Sequence, residues 1–215
     1  MIIAIDGPAA AGKGTLSQLL AERLDLAWLE TGSLYRAVAL RMLRDGSDLR
    51  DSRTAVKAVE HLDANDLNDP ELRREDVGQA ASRIAANPEV RAALVGFQRD
   101  FARQPPGRVR GAVLDGRDIG TIVCPDADYK IFITATPEAR ARRRFLELQE
   151  DGNQGDEQQV LATTLERDAR DSERSTSPLR PADDAYLLDT TNLSIDAAFA
   201  ALMAYISGSS DCILG

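Results

Sequence analysis

Nine residues near the start of the chain have the types and order that hold a phosphate chain: Gly7, Pro8, Ala9, Ala10, Ala11, Gly12, Lys13, Gly14 and Thr15. They follow the pattern G-x-x-x-x-G-K, with Gly14 where serine or threonine is usual and Thr15 one residue later. Small residues let backbone N–H groups turn inward and close around phosphate oxygens. A helix starting at the end of the loop points its positive N-terminus at the same anion. Lys13 adds a charge for the β- and γ-phosphates, and the Thr15 hydroxyl can assist Mg²⁺. This chemistry is nucleotide binding, ATP or GTP, and by itself it names no reaction.

A second set of chemical groups is spread along the chain. Of 26 basic residues, 23 are arginines and three are lysines, Lys13, Lys57 and Lys130. Genomic base composition explains such a bias, and so does anion recognition, because the planar guanidinium grips phosphate oxygens in pairs. Position separates the two. Arg167, Arg170, Asp171 and Arg174 fall at i, i+3, i+4 and i+7, on one face of a helix. Glu166 and Arg170, four apart, also have the spacing of an ordinary surface pair.

The elements that must position these groups read as strands alternating with helices. Ile2 to Ile5 is a short apolar run suited to a buried parallel strand, and Leu16, Leu19, Leu20 and Leu24 follow helical spacing. A strand over 26–29 and a helix from Thr31 come next. Residues 45–70 carry no strong strand signal. Helices are predicted over 71–86 and 90–101, and strands over 109–114, 129–133 and 185–188. Thr136-Pro137 opens a helix to about residue 150, a second covers 157–172, and Ser194 caps a closing helix to 206. This alternation predicts an α/β fold, a doubly wound parallel sheet flanked by helices.

Composition limits the function classes. The chain has 215 residues, a formal net charge of −9 and only 5% aromatics. The acidic surplus and the scarcity of stacking rings argue against nucleic acid and anionic membranes as partners. No apolar run reaches the roughly 18–20 residues of a membrane span. The N-terminal residues lack the pattern of an export signal, and two cysteines make no disulfide scaffold, so a cytoplasmic setting is expected. Cys124 is expected to pack at a strand end, and Cys212-Ile213-Leu214-Gly215 to be a tail rather than a prenylation box.

Gly12-Lys13-Gly14-Thr15 resembles the ending of the loop in nucleoside monophosphate kinases. Further stretches extend the resemblance, from residue 3 to residue 206, to the bacterial cytidylate kinases. They are Glu30-Thr31-Gly32-Ser33-Leu34-Tyr35-Arg36-Ala37, Ala80-Ala81-Ser82-Arg83-Ile84-Ala85 and Asp115-Gly116-Arg117-Asp118-Ile119-Gly120-Thr121. Two more follow in the family's order, Glu166-Arg167-Asp168-Ala169-Arg170-Asp171 and Pro178-Leu179-Arg180-Pro181-Ala182-Asp183-Asp184-Ala185. The resemblance implies a P-loop kinase with a core over about 1–36, 109–139 and 184–215. It further implies a monophosphate-binding insert over about 37–108 and a helical lid over about 140–180.

The activity implied is transfer of the γ-phosphoryl group of ATP to CMP or dCMP by a monomer. Lys13, Arg117 and Arg174 are the implied catalytic residues. Arg36, Arg117 and Arg174 would clamp the monophosphate beside Thr31. Ser82, Arg91 and Asp118 would read cytosine, and Arg167 and Asp171 would hold the sugar. Asp115 and Thr15 are candidates for Mg²⁺, through water, and Arg140, Arg143 and Arg144 for the ATP side. A kinase of UMP, or of pyrimidines broadly, is the alternative, and a GTP-dependent switch is disfavoured because no Asn-Lys-x-Asp segment is present. Three departures stand out. Ala10 replaces a glycine common in the family, which is comfortable there if its φ is negative. Glu30 stands for an aspartate, and residues 62–71 replace the extra strands usual in the insert.

Overall fold

The computed structural model describes residues 1–150 and 156–208. The glycine-bearing loop 151–155 and the tail Cys212–Gly215 lie outside the described residues. Five strands form one all-parallel sheet: β1 (Ile2–Asp6), β2 (Ala27–Glu30), β3 (Ala112–Gly116), β4 (Tyr129–Thr134) and β5 (Tyr186–Asp189). Their order is β2-β3-β1-β4-β5, which puts β1, and the loop leaving it, in the centre.

The central strands are buried on both faces, as a doubly wound sheet requires. Ile3 and Ile5 point to one side, where they pack with Leu16 and Leu20 of helix α1 (Lys13–Leu24) and Leu202 of α8 (Ile195–Ile206). Ala4 and Leu114 face the other side. There they meet Leu34 and Val38 of α2 (Thr31–Arg44), Ile84 of α4 (Glu75–Ile84) and Leu94 of α5 (Pro88–Arg103). Helices α6 (Pro137–Glu150) and α7 (Glu157–Ser172) pack on each other above the carboxyl ends of the strands. Thr136 opens α6 as expected, its hydroxyl accepting from the Ala139 amide at 3.3 Å.

Four elements differ from the expectation. Helix α3 (Ser52–Glu60) occupies a stretch with no clear pattern. Its Asp51 cap is sound, but its buried residues are alanines, Ala55 and Ala58, which leave little apolar signal. The helix expected over 71–86 splits into a 3₁₀ turn (Pro70–Arg73) and α4, because Arg74 is extended at ψ 142°. Strand β3 starts and ends later than 109–114. Asp115 and Gly116 look like loop residues but pair with Ile5 and Asp6, carrying the Asp115 carboxylate to the top of the sheet. After it comes a single π turn (Ile119–Val123), and Cys124 closes that turn instead of a strand end. Among the described residues the segment 37–108 holds helices and no strand.

Candidate active site

The phosphate loop is shaped by contacts that side chains would block. Gly7 has φ +149°, and a Cβ there would lie 1.9 Å from the Ile133 carbonyl oxygen. Gly12 has φ +87° and caps α1. The condition under which Ala10 would be comfortable is not met: it has φ +57°, in the left-handed region that costs a residue with a Cβ about 1–2 kcal/mol. The Ala11 carbonyl accepts from Thr190 Oγ1 at 3.0 Å, and the Pro8 carbonyl from Lys13 Nζ at 2.8 Å. Gly7, Pro8 and Ala11 therefore form the loop's supporting side. Ala9, Ala10, Gly12, Lys13, Gly14 and Thr15 line a cleft of about 540 Å³.

The same cleft is lined by every monophosphate residue the resemblance implies: Thr31, Arg36, Ser82, Arg91, Arg117, Asp118, Arg167, Asp171 and Arg174, together with Asp115. Five separate elements bring them there. Arg117 is the hub. Its Nε donates to Asp171 at 2.9 Å, and Arg174 pairs with the other oxygen of the same carboxylate. Both guanidiniums keep Asp171 below the usual carboxylate range despite its burial. Arg36 donates to the Leu72 carbonyl at 2.6 Å, with its guanidinium against Gly78, where a Cβ would come within 3.2 Å.

Crowded like charges mark this cleft electrostatically. Burial, then Arg117, pushes Lys13 down to about 7. The same two causes in the same order push Arg167 down to about 10. Among the described residues, the buried Nε groups of Arg167 and Arg174 have no acceptor. Cations that depress one another and hold back N–H donors are the arrangement a polyanion relieves. Asp115 is pushed up to about 6, mainly by burial, while one of its oxygens accepts from Trp28 Nε1 at 2.7 Å.

Ser82, Arg91 and Asp118 are all buried. Asp118 pairs with Arg91 rather than with its neighbour Arg117. Thr31 reaches the cleft, but its hydroxyl donates to the Asp115 carbonyl at 2.8 Å, so it ties α2 to β3. Gly116 must be glycine here, since a Cβ would lie 2.6 Å from that hydroxyl oxygen.

Of the three lid arginines expected on the ATP side, one touches the phosphate loop and a second holds Thr190, the residue that donates to the loop's Ala11 carbonyl. Arg140 donates to the Ala9 carbonyl at 3.3 Å and pairs with Asp168, and Arg143 donates to the Thr190 carbonyl at 2.5 Å. Arg144 turns the other way and meets Glu75 of α4 at 2.9 Å, because its place on α6 faces the insert.

Residues the sequence reading missed include Glu75 and Gln79 of α4, which line the cleft. Their spacing from Ser82, at 75, 79 and 82, puts all three on one helix face and could have revealed them. Asp6 was also missed. Its buried carboxylate accepts from the Ile119 and Gly120 amides at 2.7 and 2.8 Å, joining the phosphate-loop strand to the segment after Asp118.

A strand, a glycine-rich loop and a helix at the centre of a parallel sheet, with arginines converging over the loop, define a P-loop phosphotransferase. A family model described as cytidylate kinase matches residues 3–208. The cytidylate kinase of Methylocella silvestris is 53% identical over 213 residues, 99% of this chain and 97% of that one. That of Cereibacter sphaeroides strain KD131 is 57% identical over 196 residues, 91% of this chain and 90% of its own. A crystal structure of an uncharacterised protein from Eubacterium ventriosum shares the fold, with TM-score 0.53 and 15% identity over 96% of this chain and 98% of that one. The chain belongs to the cytidylate kinase family.

Proposed function

We propose that the cleft transfers the γ-phosphoryl group of ATP to the phosphate of CMP or dCMP, giving ADP and CDP or dCDP. One observation carries the reading: a single cleft holds the phosphate loop, the arginine cluster and the buried trio Ser82, Arg91 and Asp118.

The acceptor is a phosphate with a second pKa of about 6, already ionised at neutral pH, so no side chain need remove a proton. The chain's work is to position two phosphates and neutralise their charge. Backbone N–H groups of residues 9–14 and Lys13 hold the donor. Arg36, Arg117 and Arg174 clamp the acceptor, with Arg167 and Asp171 at the sugar. The carboxylate of Asp118 suits the exocyclic amine of cytosine, while Ser82 supplies a donor to N3 and Arg91 one to O2. Uracil would present an oxygen to Asp118 instead.

Mg²⁺ fits the donors present. Thr15 and Asp115 bring hard oxygens to one cleft, and among the described residues no cluster of three or more ligand-type side chains forms a cage. Two protein oxygens beside the phosphate site suit a cation that arrives with phosphates and keeps several waters. It would neutralise charge between the two phosphates.

Residues 140–180 act in this reading as a lid and 37–108 as the monophosphate insert, supported by the ion pairs that α6 and α7 make across the cleft. A monomer is what the family resemblance implies. Among the described residues no helix is long and apolar enough to cross a membrane. ATP and CMP as substrates support a cytoplasmic setting. The test is ADP release with ATP·Mg²⁺ and each of CMP, dCMP, UMP and AMP, expected fastest with CMP and dCMP. Equal turnover of UMP would overturn the base assignments, and turnover of none would overturn the kinase reading.

A further inference from the structure

Arg170 belongs to the lid helix α7, yet it reaches across to α4. Its Nη1 donates to Ser82 Oγ at 3.0 Å and its Nη2 to Gln79 Oε1 at 2.9 Å. Arg170 does not itself line the cleft, whereas both of its partners do.

The directions of these bonds are fixed by chemistry. A guanidinium only donates, so Ser82 Oγ must accept from it. Gln79 is held the right way round because its Nε2 donates to Glu75 Oε1 at 3.0 Å, leaving Oε1 to accept. Glu75 is fixed in turn by Arg144 of α6. A hydroxyl has one proton, and Ser82 Oγ donates it to no protein group among the described residues while the side chain borders the cleft.

We infer that Arg170 is a positioning residue for base selectivity: by donating to Ser82 Oγ it takes up one lone pair and polarises the O–H, so that the hydroxyl's proton is favoured over its remaining lone pair at the base. Cytosine N3 is an acceptor and takes that proton. Uracil N3 carries a hydrogen of its own, so two donors would meet. Without Arg170 the hydroxyl rotates freely and accepts from uracil as readily as it donates to cytosine. Because Arg170 rides on the lid and Ser82 on the insert, the base would be checked when the two close together. The inference rests on the proposed role of Ser82 at the base.

The test measures kcat/KM for CMP and for UMP in Arg170→Met, Ser82→Ala and the double variant. Arg170→Met is expected to lower the CMP-to-UMP ratio about tenfold, the size of a lost hydrogen bond to a charged group. In the Ser82→Ala background the same change should leave the ratio where Ser82→Ala alone puts it. An equal fall for both substrates in Arg170→Met would make the residue a mere strut of the lid and overturn the inference, with the role of Ser82 intact. An unchanged ratio in Ser82→Ala would remove Ser82 from the base and take the inference with it. If Arg170→Met does not fold, Gln79→Leu, which frees one arm of the guanidinium, is expected to lower the ratio in the same direction. An unmoved ratio there overturns the inference.

Discussion

Arg91 and Asp118 pair inside the protein, with 5% and 6% of their side-chain surfaces exposed. The guanidinium also donates to the Ala85 carbonyl at 3.0 Å and lies 5.5 Å over the Tyr35 ring. The pair thus joins α5, α2 and the segment after β3 at the back of the cleft. A buried ion pair that borders a ligand cleft has two roles, since each partner keeps the other's charge tolerable and both offer spare atoms to the ligand.

Those two roles predict two separate losses in Asp118→Ala. Removing the carboxylate strands the Arg91 charge in the interior, which costs about 3–5 kcal/mol of stability. It also removes the acceptor for the cytosine amine, so the preference for CMP over UMP should fall by at least about tenfold. Denaturant titration reads the first and paired kcat/KM values the second. Lost stability with an unchanged preference would leave the pair a purely structural one.

Arg117 presses on both Lys13 and Arg167 through its charge, while its Nε stays tied to Asp171. Arg117→Ala should lower kcat by about 10²–10³, as removal of a preorganised donor at developing charge does. It should also raise the pKa of Lys13, because a repelling neighbour is gone. The second effect is visible as an alkaline shift in the pH dependence of ATP binding. A fall in kcat without that shift would mean that Arg117 acts on the acceptor alone.

Lys13 itself makes a prediction with a definite sign. Its pKa stands near 7 in the protein, and a bound triphosphate must raise it by supplying negative charge. Below pH 7 the lysine is protonated before and after binding, so affinity for ATP should be flat with respect to this group. Above pH 7 the unbound lysine loses its proton, and affinity should fall until the higher pKa of the complex is passed. Binding at pH 8 should therefore take up close to one proton, measured by calorimetry in buffers of different ionisation enthalpy. Lys13→Met should abolish the uptake, and equal heats in all buffers for the unaltered protein would contradict this account.

The phosphate loop and the alternation of strands with helices were legible because spacing along the chain carries them. Gly7, Gly12 and Lys13 do their work within nine residues, and alternating apolar runs announce buried strands. Ser82, Arg91 and Asp118 were accessible only through family resemblance, since nothing local marks a serine in an alanine-rich helix as a reader of a base. The bond from Arg170 to Ser82 spans 88 positions and depends on how α7 rolls against α4. No local pattern encodes that rotation, nor the turn of Arg144 toward Glu75. Asp115 and Gly116 were misplaced because polar residues in a strand look like a turn until the partner strand is known. The arginine-rich composition is informative only at such positions. Arg50, paired with Asp48 in solvent, is as much an arginine as Arg117.

Ala10 shows what a side-chain list cannot reveal, since its identity says nothing about its φ of +57°. The loop holds this conformation because its neighbours leave it no choice: Gly7 is packed against Ile133, and the Ala11 carbonyl is fixed by Thr190. An L-residue held there stores about 1–2 kcal/mol of backbone strain. Glycine would release the strain but bring extra freedom to the unfolded chain, which takes back about 0.4–1 kcal/mol. Ala10→Gly should therefore raise stability by about 0.5–1 kcal/mol, read as a higher midpoint at unchanged slope in urea. A lower midpoint would mean that the loop relaxes around Ala10 and that no strain is held there.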